Sequence, residues 1–119
     1  MIYHITSRAA WRTALGTGEY RAASLESEGF IHCSTRSQVL PVAENFYKGQ
    51  RGLVVLRIDP ARLSSPLKWE APSGGTPPPG VPAGEPFPHI YGPVNLDAVA
   101  KVVDLQPDAD GAFQMPDIS

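Results

Sequence analysis

Residues 53–59, LVVLRID, form the most strongly patterned segment of the chain and fix the centre of the predicted fold. The four residues from Leu53 to Leu56 are apolar and rich in β-branching, and Gly52 precedes them. Such a run predicts a strand buried on both faces, and it is far shorter than the roughly 18–20 residues of a membrane span. Four further segments are predicted strands by the same criteria: Ile2–Thr6, Phe30–Ser34, Leu67–Glu70 and Val99–Leu105.

Two helices are predicted between the early strands. Ser7 is a helix N-cap residue for a segment from Arg8 to Leu15. Thr35 and Gln38 have capping-box spacing and open a second helix, in which Pro41 conflicts with an uninterrupted hydrogen-bond ladder. Short strands mixed with two main helices predict an α+β fold with a small, split, largely antiparallel sheet.

The length of 119 residues predicts one domain, which we place at residues 1–106, with a loose tail at 107–119. Eight of the 22 residues from 72 to 93 are proline. Residues 72–85 are therefore predicted to form a mobile loop, and because the loop leads into Phe87–Tyr91, we expect it to act as a lid.

Charge and cysteine content exclude several classes of protein. The formal net charge of −2 and the pI near 5.8 argue against a broad nucleic-acid surface. Cys33 is the single cysteine, so neither an internal disulfide nor a cysteine zinc cluster is expected. The first residues do not resemble a signal peptide and no segment resembles a membrane span, so we expect a cytoplasmic protein without membrane association. The sequence does not identify a partner protein.

The three histidines share one pattern, in which a hydroxyl residue follows two positions later. The segments are His4-Ile5-Thr6, His32-Cys33-Ser34 and His89-Ile90-Tyr91. Residues i and i+2 of a strand point to the same face, so each segment presents an imidazole and a hydroxyl together. If the three strands converge, they line one polar cleft suited to sugar hydroxyls, a phosphate or a nucleotide.

Other interpretations compete with a shared nucleotide cleft. Three histidines could hold a catalytic zinc ion for a hydrolase, but the close His spacing that usually seeds such a site is missing, so no metal is expected. A non-catalytic module that binds a small molecule or a protein is the main alternative. Cys33 should point away from the histidines, which disfavours a Cys-His pair. Glu28 and Glu70 stand beside the histidine segments, although ordinary solvated carboxylates would look the same.

A set of motifs resembles a family of small bacterial proteins, the domain-of-unknown-function family numbered nine hundred and fifty-two. The motifs are YHIT at 3–6, SLESEGFIHCS at 24–34, QVLPVAENFY at 38–47, LVVLRID at 53–59 and FPHIYGPVNLDAV at 87–99. The resemblance covers residues 2 to about 105, and EGFIHCS and FPHIYG are its most specific parts.

More distantly, the order of motifs is similar to the ADP-ribosyltransferase fold, nearest its RNA 2′-phosphotransferase branch. That resemblance implies NAD as a ligand, with His4 and Thr6 of the first motif on the adenosine-side ribose and His32 and Ser34 of the second motif on the nicotinamide side. His89 falls at the position of the third motif. Two positions depart from the family pattern: Ile5 replaces a glycine, and His89 stands where typical members have a glutamate.

Two further ligand contacts complete the predicted site. Arg8 follows the first strand and could reach a pyrophosphate if the helix that begins after Ser7 points its N-terminus at the ligand. Tyr91 supplies the hydroxyl of the third histidine segment. The predicted site therefore combines His32, His89 and Ser34 as candidate catalytic residues with His4, Thr6, Arg8 and Tyr91 as candidate ligand contacts.

Overall fold

The computed structural model describes residues 1–119. In chain order the elements are β1 (Ile2–Ser7), α1 (Arg8–Thr17), β2 (Glu19–Tyr20), α2 (Ala23–Ser27), β3 (Ile31–His32), α3 (Arg36–Phe46), β4 (Leu53–Ile58), β5 (Leu67–Glu70), β6 (Phe87–Ile90), β7 (Val94–Asn95) and β8 (Val99–Leu105). Two short 3₁₀ turns, Pro60–Arg62 and Leu96–Ala98, complete the chain. None of the helices combines the length and the apolar character that crossing a bilayer requires.

The strands form three small antiparallel sheets. The first has the order β1-β4-β8, the second β3-β6-β5, and β2 pairs with β7 alone. Backbone hydrogen bonds between Tyr3 and Ser34, 2.7 and 2.8 Å long, join β1 to the end of β3 and so connect the first two sheets. The predicted α+β class and the split antiparallel sheet are confirmed, while the short helix α2 was not predicted.

β4 is the central strand of the first sheet, as its apolar run predicts. Leu53, Val55 and the facing residues Tyr3 and Ile5 of β1 pack on one side against α3. The alternate residues of the same strands belong to a second core on the other side, with Ala14, Tyr20, Ile31 and Ile90 among its members. Both faces of β1 are consequently covered, since side chains on both of its faces belong to a buried core.

The helix ends follow from local chemistry. Ser7 Oγ accepts a hydrogen bond from the Ala10 N–H at 3.0 Å, as an N-cap residue does. The helix continues to Thr17 rather than Leu15 because Gly18, with φ of 94°, supplies the left-handed C-cap. The Gln38 side chain accepts from the Thr35 N–H at 2.9 Å, one half of the predicted capping box. Pro41 lies inside α3 without ending it.

The tail after residue 106 differs from the prediction of a loose segment. Phe113 and Ile118 are buried in the core that includes α3, with 3% and 0% of their surface exposed. The Phe113 N–H also donates to Glu44 Oε1 on α3 at 2.8 Å. These two side chains have no periodic apolar neighbours in the sequence, so the pattern did not indicate their burial.

Candidate functional site

His32 and His89 lie directly opposite each other on the adjacent antiparallel strands β3 and β6. Paired residues on neighbouring strands share a face, so both imidazoles project from the same side of the second sheet. Their ring centroids are 5.5 Å apart, in an edge-to-face arrangement. The opposite face carries Ile31 and Ile90, which belong to the core.

A cavity of about 410 Å³ opens beside this histidine pair. Its polar wall contains His32, His89 and Ser34 and is completed by Glu28, while an apolar wall comes from α3 and Phe87. Residues 72–78 of the proline-rich loop form part of the rim through Pro72, Ser73, Thr76 and Pro78. The loop therefore lies beside the cavity, where a lid is expected. Its mobility remains a prediction.

His89 is held by a carboxylate that it shares with a tyrosine. Its Nδ1 lies 2.9 Å from Glu70 Oε1, and the Tyr91 hydroxyl donates to the same oxygen at 2.5 Å. The hydrogen bonds from Tyr91 and His89 lower the pKa of Glu70, so this carboxylate is ionised at neutral pH. The hydrogen bond to Glu70 correspondingly raises the pKa of Tyr91. Nε2 of His89 has no partner within the protein.

His32 has an equivalent arrangement at the edge of the cavity. Its Nε2 lies 2.8 Å from Glu28 Oε2, and Ser73 donates to the other oxygen of Glu28 at 3.1 Å. The hydrogen bond from His32 is the main reason that the pKa of Glu28 is lowered. Nδ1 of His32 has no partner within the protein, so each imidazole keeps one free ring nitrogen.

Aromatic packing fixes the two imidazoles further. The Phe30 ring stacks on His89 with centroids 4.3 Å apart and an angle of 26°, and it also contacts His32 at 4.8 Å. Lys68, opposite His89 on β5, places Nζ 4.7 Å from the centre of the Tyr91 ring. The side chains of His89 and His32 are 4% and 42% exposed respectively, so the pair extends from the buried wall to solvent.

His4 does not join the other two histidines, and the prediction of one cleft lined by all three is wrong. Its Nδ1–H donates to the His32 carbonyl at 2.5 Å, and its Nε2 lies 2.7 Å from the Tyr20 hydroxyl. The same hydroxyl lies 2.8 Å from Thr6 Oγ1. His4 and Thr6 face the core that contains Tyr20, whereas Ile5, on the other face of β1, lines the cavity. The alternation of residues in β1 correctly predicted that His4 and Thr6 share one face of the strand. It could not predict that the opposite face would meet the cavity.

Burial governs the protonation of this network. Desolvation lowers the pKa of His4 to about 4, despite the hydrogen bond to the His32 carbonyl that acts in the opposite direction. It also raises the pKa of Tyr20 to about 12. His4 is therefore neutral near pH 7, and with its Nδ1 proton donated to β3 it accepts a hydrogen bond from Tyr20 at Nε2.

Two other predicted contacts, Arg8 and Tyr91, do not line the cavity. Arg8 forms an ion pair with Asp104 on β8 and does not line the cavity, so it is not positioned for a pyrophosphate there. Tyr91 reaches the site through Glu70 rather than by lining the cavity itself. Cys33 is 3% exposed at the cavity wall, and burial raises the pKa of its thiol well above the usual range, which disfavours the thiolate that a nucleophile requires.

Convergence of metal-binding side chains is not observed. No group of three or more His, Cys, Asp or Glu side chains is arranged to hold a metal ion. A zinc site built from His4, His32 and His89 is ruled out by the position of His4 in the core.

Glu28 and Glu70 became site residues only through the structure, although both stood beside the histidine segments in the sequence. Each remains partly exposed and accepts a hydrogen bond from one imidazole. Phe30, Phe46 and Tyr47 gave no separate signal, because an aromatic residue near a strand or on a helix is most often part of a core.

With its fold and cavity described, the chain can be placed among known proteins. It belongs to the family described as protein of unknown function (DUF952), whose model matches residues 5–102. The family resemblance inferred from EGFIHCS and FPHIYG is confirmed. No curated protein matches the chain at a significant level.

Solved structures of one relative are similar over almost the whole chain. The crystal structure of protein CC0527 from Caulobacter crescentus is 38% identical, covers 95% of this chain and 92% of its own, and has a TM-score of 0.79. The solution NMR structure of the same protein is also 38% identical and covers 95% of this chain and 90% of its own, with a TM-score of 0.75. These likenesses establish the fold and do not specify an activity.

Proposed function

We propose that this protein binds NAD, ADP-ribose or another nucleotide in the His32–His89 cavity, with the two imidazoles contacting the ribose. The observation that carries the proposal is the pair of imidazoles on one sheet face, each oriented by its own carboxylate and each with one free ring nitrogen. The proposed site contains only two of the three histidines, because His4 lies outside the cavity.

The hydrogen-bond partners decide what each imidazole offers a ligand. A carboxylate can only accept, so His32 donates from Nε2 to Glu28 and His89 donates from Nδ1 to Glu70. In the neutral form, Nδ1 of His32 and Nε2 of His89 are then acceptors. Two acceptors on neighbouring strands suit the vicinal hydroxyls of a ribose, and each becomes a donor when it is protonated.

The shape of the cavity suits a nucleoside. A volume of about 410 Å³ lies within the range of roughly 300–1,000 Å³ found for small-molecule sites. Val42 and Phe46 of α3, with Tyr47 directly after the helix, provide an apolar surface for a base in the same cavity as the imidazoles. Ser34 adds a hydroxyl on the polar side.

ADP-ribosyl or phosphoryl transfer is the reaction we associate with this ligand. An imidazole backed by a carboxylate can remove a proton from an attacking hydroxyl in either reaction. A second imidazole can protonate the leaving oxygen in phosphoryl transfer, whereas nicotinamide leaves NAD as a neutral molecule and needs no proton. His89 with Glu70 and His32 with Glu28 supply these two functions. The resemblance to the ADP-ribosyltransferase fold and its RNA 2′-phosphotransferase branch supports the same ligand class. The contacts once expected from His4, Thr6 and Arg8 are not part of this proposal.

Calorimetric titration with NAD and ADP-ribose tests the binding site. His32→Ala and His89→Ala should each weaken binding by about 5- to 150-fold, which corresponds to about 1–3 kcal/mol for an unpaired polar partner. His4→Gln is the matched control, because it changes a histidine outside the cavity and should leave the affinity unchanged. If neither NAD, ADP-ribose nor AMP binds the wild-type protein in titration or thermal shift, the proposal is wrong.

A turnover assay distinguishes a transferase from a non-catalytic binding module. Release of nicotinamide from NAD, with and without added RNA or protein acceptors, should depend on His89 and Glu70. Binding of NAD without release of nicotinamide under any of these conditions would favour the binding module.

A further inference from the structure

The cavity wall carries a negatively charged side chain but no lysine or arginine. None of the 14 residues that line it is lysine or arginine, and Glu28 is its only carboxylate. A second carboxylate, Glu70, stands directly behind His89. Lys68, opposite His89 on β5, lies over the Tyr91 ring and does not line the cavity.

The apolar wall adds electron-rich surfaces to these carboxylates. Phe46 is 64% exposed although it lines the cavity, and Tyr47 and Phe87 lie on the same wall. The faces of aromatic rings are electronegative and attract cations within about 6 Å. Phe46 therefore offers an exposed aromatic face to a ligand in the cavity.

We propose that the cavity selects the positively charged, oxidised pyridinium riboside over its uncharged reduced form, and that it leaves phosphate groups outside. This inference rests on the proposed function and narrows it to the part of NAD that carries the cationic ring. Ribose hydroxyls engage the two free imidazole nitrogens, and the ring lies between Glu28 and the aromatic wall.

Exclusion of phosphate follows from the same wall. A phosphate in the cavity would meet no Lys or Arg side chain and would lie close to an ionised carboxylate, because the hydrogen bond from His32 lowers the pKa of Glu28. Buried anions require a paired cation or several donors. The phosphates of a dinucleotide would therefore extend through the mouth, past Ser73 and Thr76.

The test compares oxidised with reduced nicotinamide riboside, which have similar shapes and differ in the charge of the ring. By calorimetry with the full chain, the oxidised form should bind about 3- to 30-fold more tightly, the range expected for one cation–aromatic contact. Nicotinamide mononucleotide should bind no more tightly than the oxidised riboside, since its phosphate finds no cation within the cavity.

Glu28→Gln provides the decisive variant, because glutamine keeps an acceptor for His32 while it removes the charge. It should reduce the preference for the oxidised form by several-fold. Glu26→Gln, an exposed position on α2, is the control and should keep the full preference. Equal binding of the two ribosides, or binding of ADP-ribose with no binding of either riboside, would overturn the charge selection and leave the nucleotide site intact. If no riboside and no nucleotide binds, the proposed function itself fails.

Discussion

Acidification from about pH 7 to pH 5 should destabilise this protein through His4. Burial lowers the pKa of His4 from 6.5 to about 4, so the unfolded chain binds a proton in this range that the folded protein does not bind. Stability therefore falls as the pH decreases through the window between these two values. At 1.36 kcal/mol per pKa unit, the loss is about 2 kcal/mol at pH 5 and about 3 kcal/mol at pH 4.

Urea unfolding of the wild type and of His4→Gln, measured at several pH values between 5 and 7, isolates this contribution. Glutamine can still donate to the His32 carbonyl and accept from Tyr20, but it does not titrate. The variant should therefore lose the acid-induced decrease and show a nearly flat free energy of unfolding in this window. Glu28 and Glu70, whose pKa values are lowered from 4.5, contribute acid sensitivity only below that value. A wild-type stability that is constant from pH 7 to 5, or an equal slope in His4→Gln, would refute the burial argument.

Three further outcomes are expected. Tyr20→Phe should lower the free energy of unfolding, measured in urea, by about 1–3 kcal/mol, because it leaves His4 Nε2 without its partner. Nucleotide affinity, measured by titration, should not change in this variant. Weakened binding would contradict the separation of the His4–Tyr20 network from the cavity. Phe113→Ala should lower the free energy of unfolding in urea by about 3–5 kcal/mol, because it removes a buried aromatic side chain. Gln114→Ala, at the exposed neighbouring position, is the control. Equally small effects of both variants would mean that the tail is not packed on the core. Cys33 should react with a thiol reagent only after unfolding, and rapid labelling of the native protein would show that it is accessible.

Much of the fold could be predicted because its signals are local. The apolar run at Leu53–Leu56 identified the central strand, and Ser7 and Thr35 marked the starts of the two main helices. Alternation in the β3 segment correctly placed His32 and Ser34 together at the cavity, whereas Cys33 is buried in the core and also touches the cavity wall. These features depend on neighbours within a few residues, which the sequence displays directly.

The candidate site could be predicted only in part. His32 and His89 were identified, whereas the pairing of His89 with Glu70 depended on side chains brought together from different strands. Glu70 is 19 residues from His89 along the chain and reaches it because β5 and β6 are adjacent. Glu28 is only four residues from His32, but spacing alone does not distinguish a hydrogen-bonded carboxylate from a solvated one.

By itself, the sequence determined the α+β class, the antiparallel strands, the helix starts and the pairing of each histidine with a hydroxyl on one strand face. The tertiary structure decided which face of each strand meets the cavity. In β3 and β6 one face packs on the core and the other is open, so His32 and His89 reach the cavity. In β1 the face that carries Ile5 meets the cavity, while the opposite face packs on the core, so His4 became part of a buried network instead. Strand alternation is a local property, whereas the layer that covers each face is set by packing between distant segments.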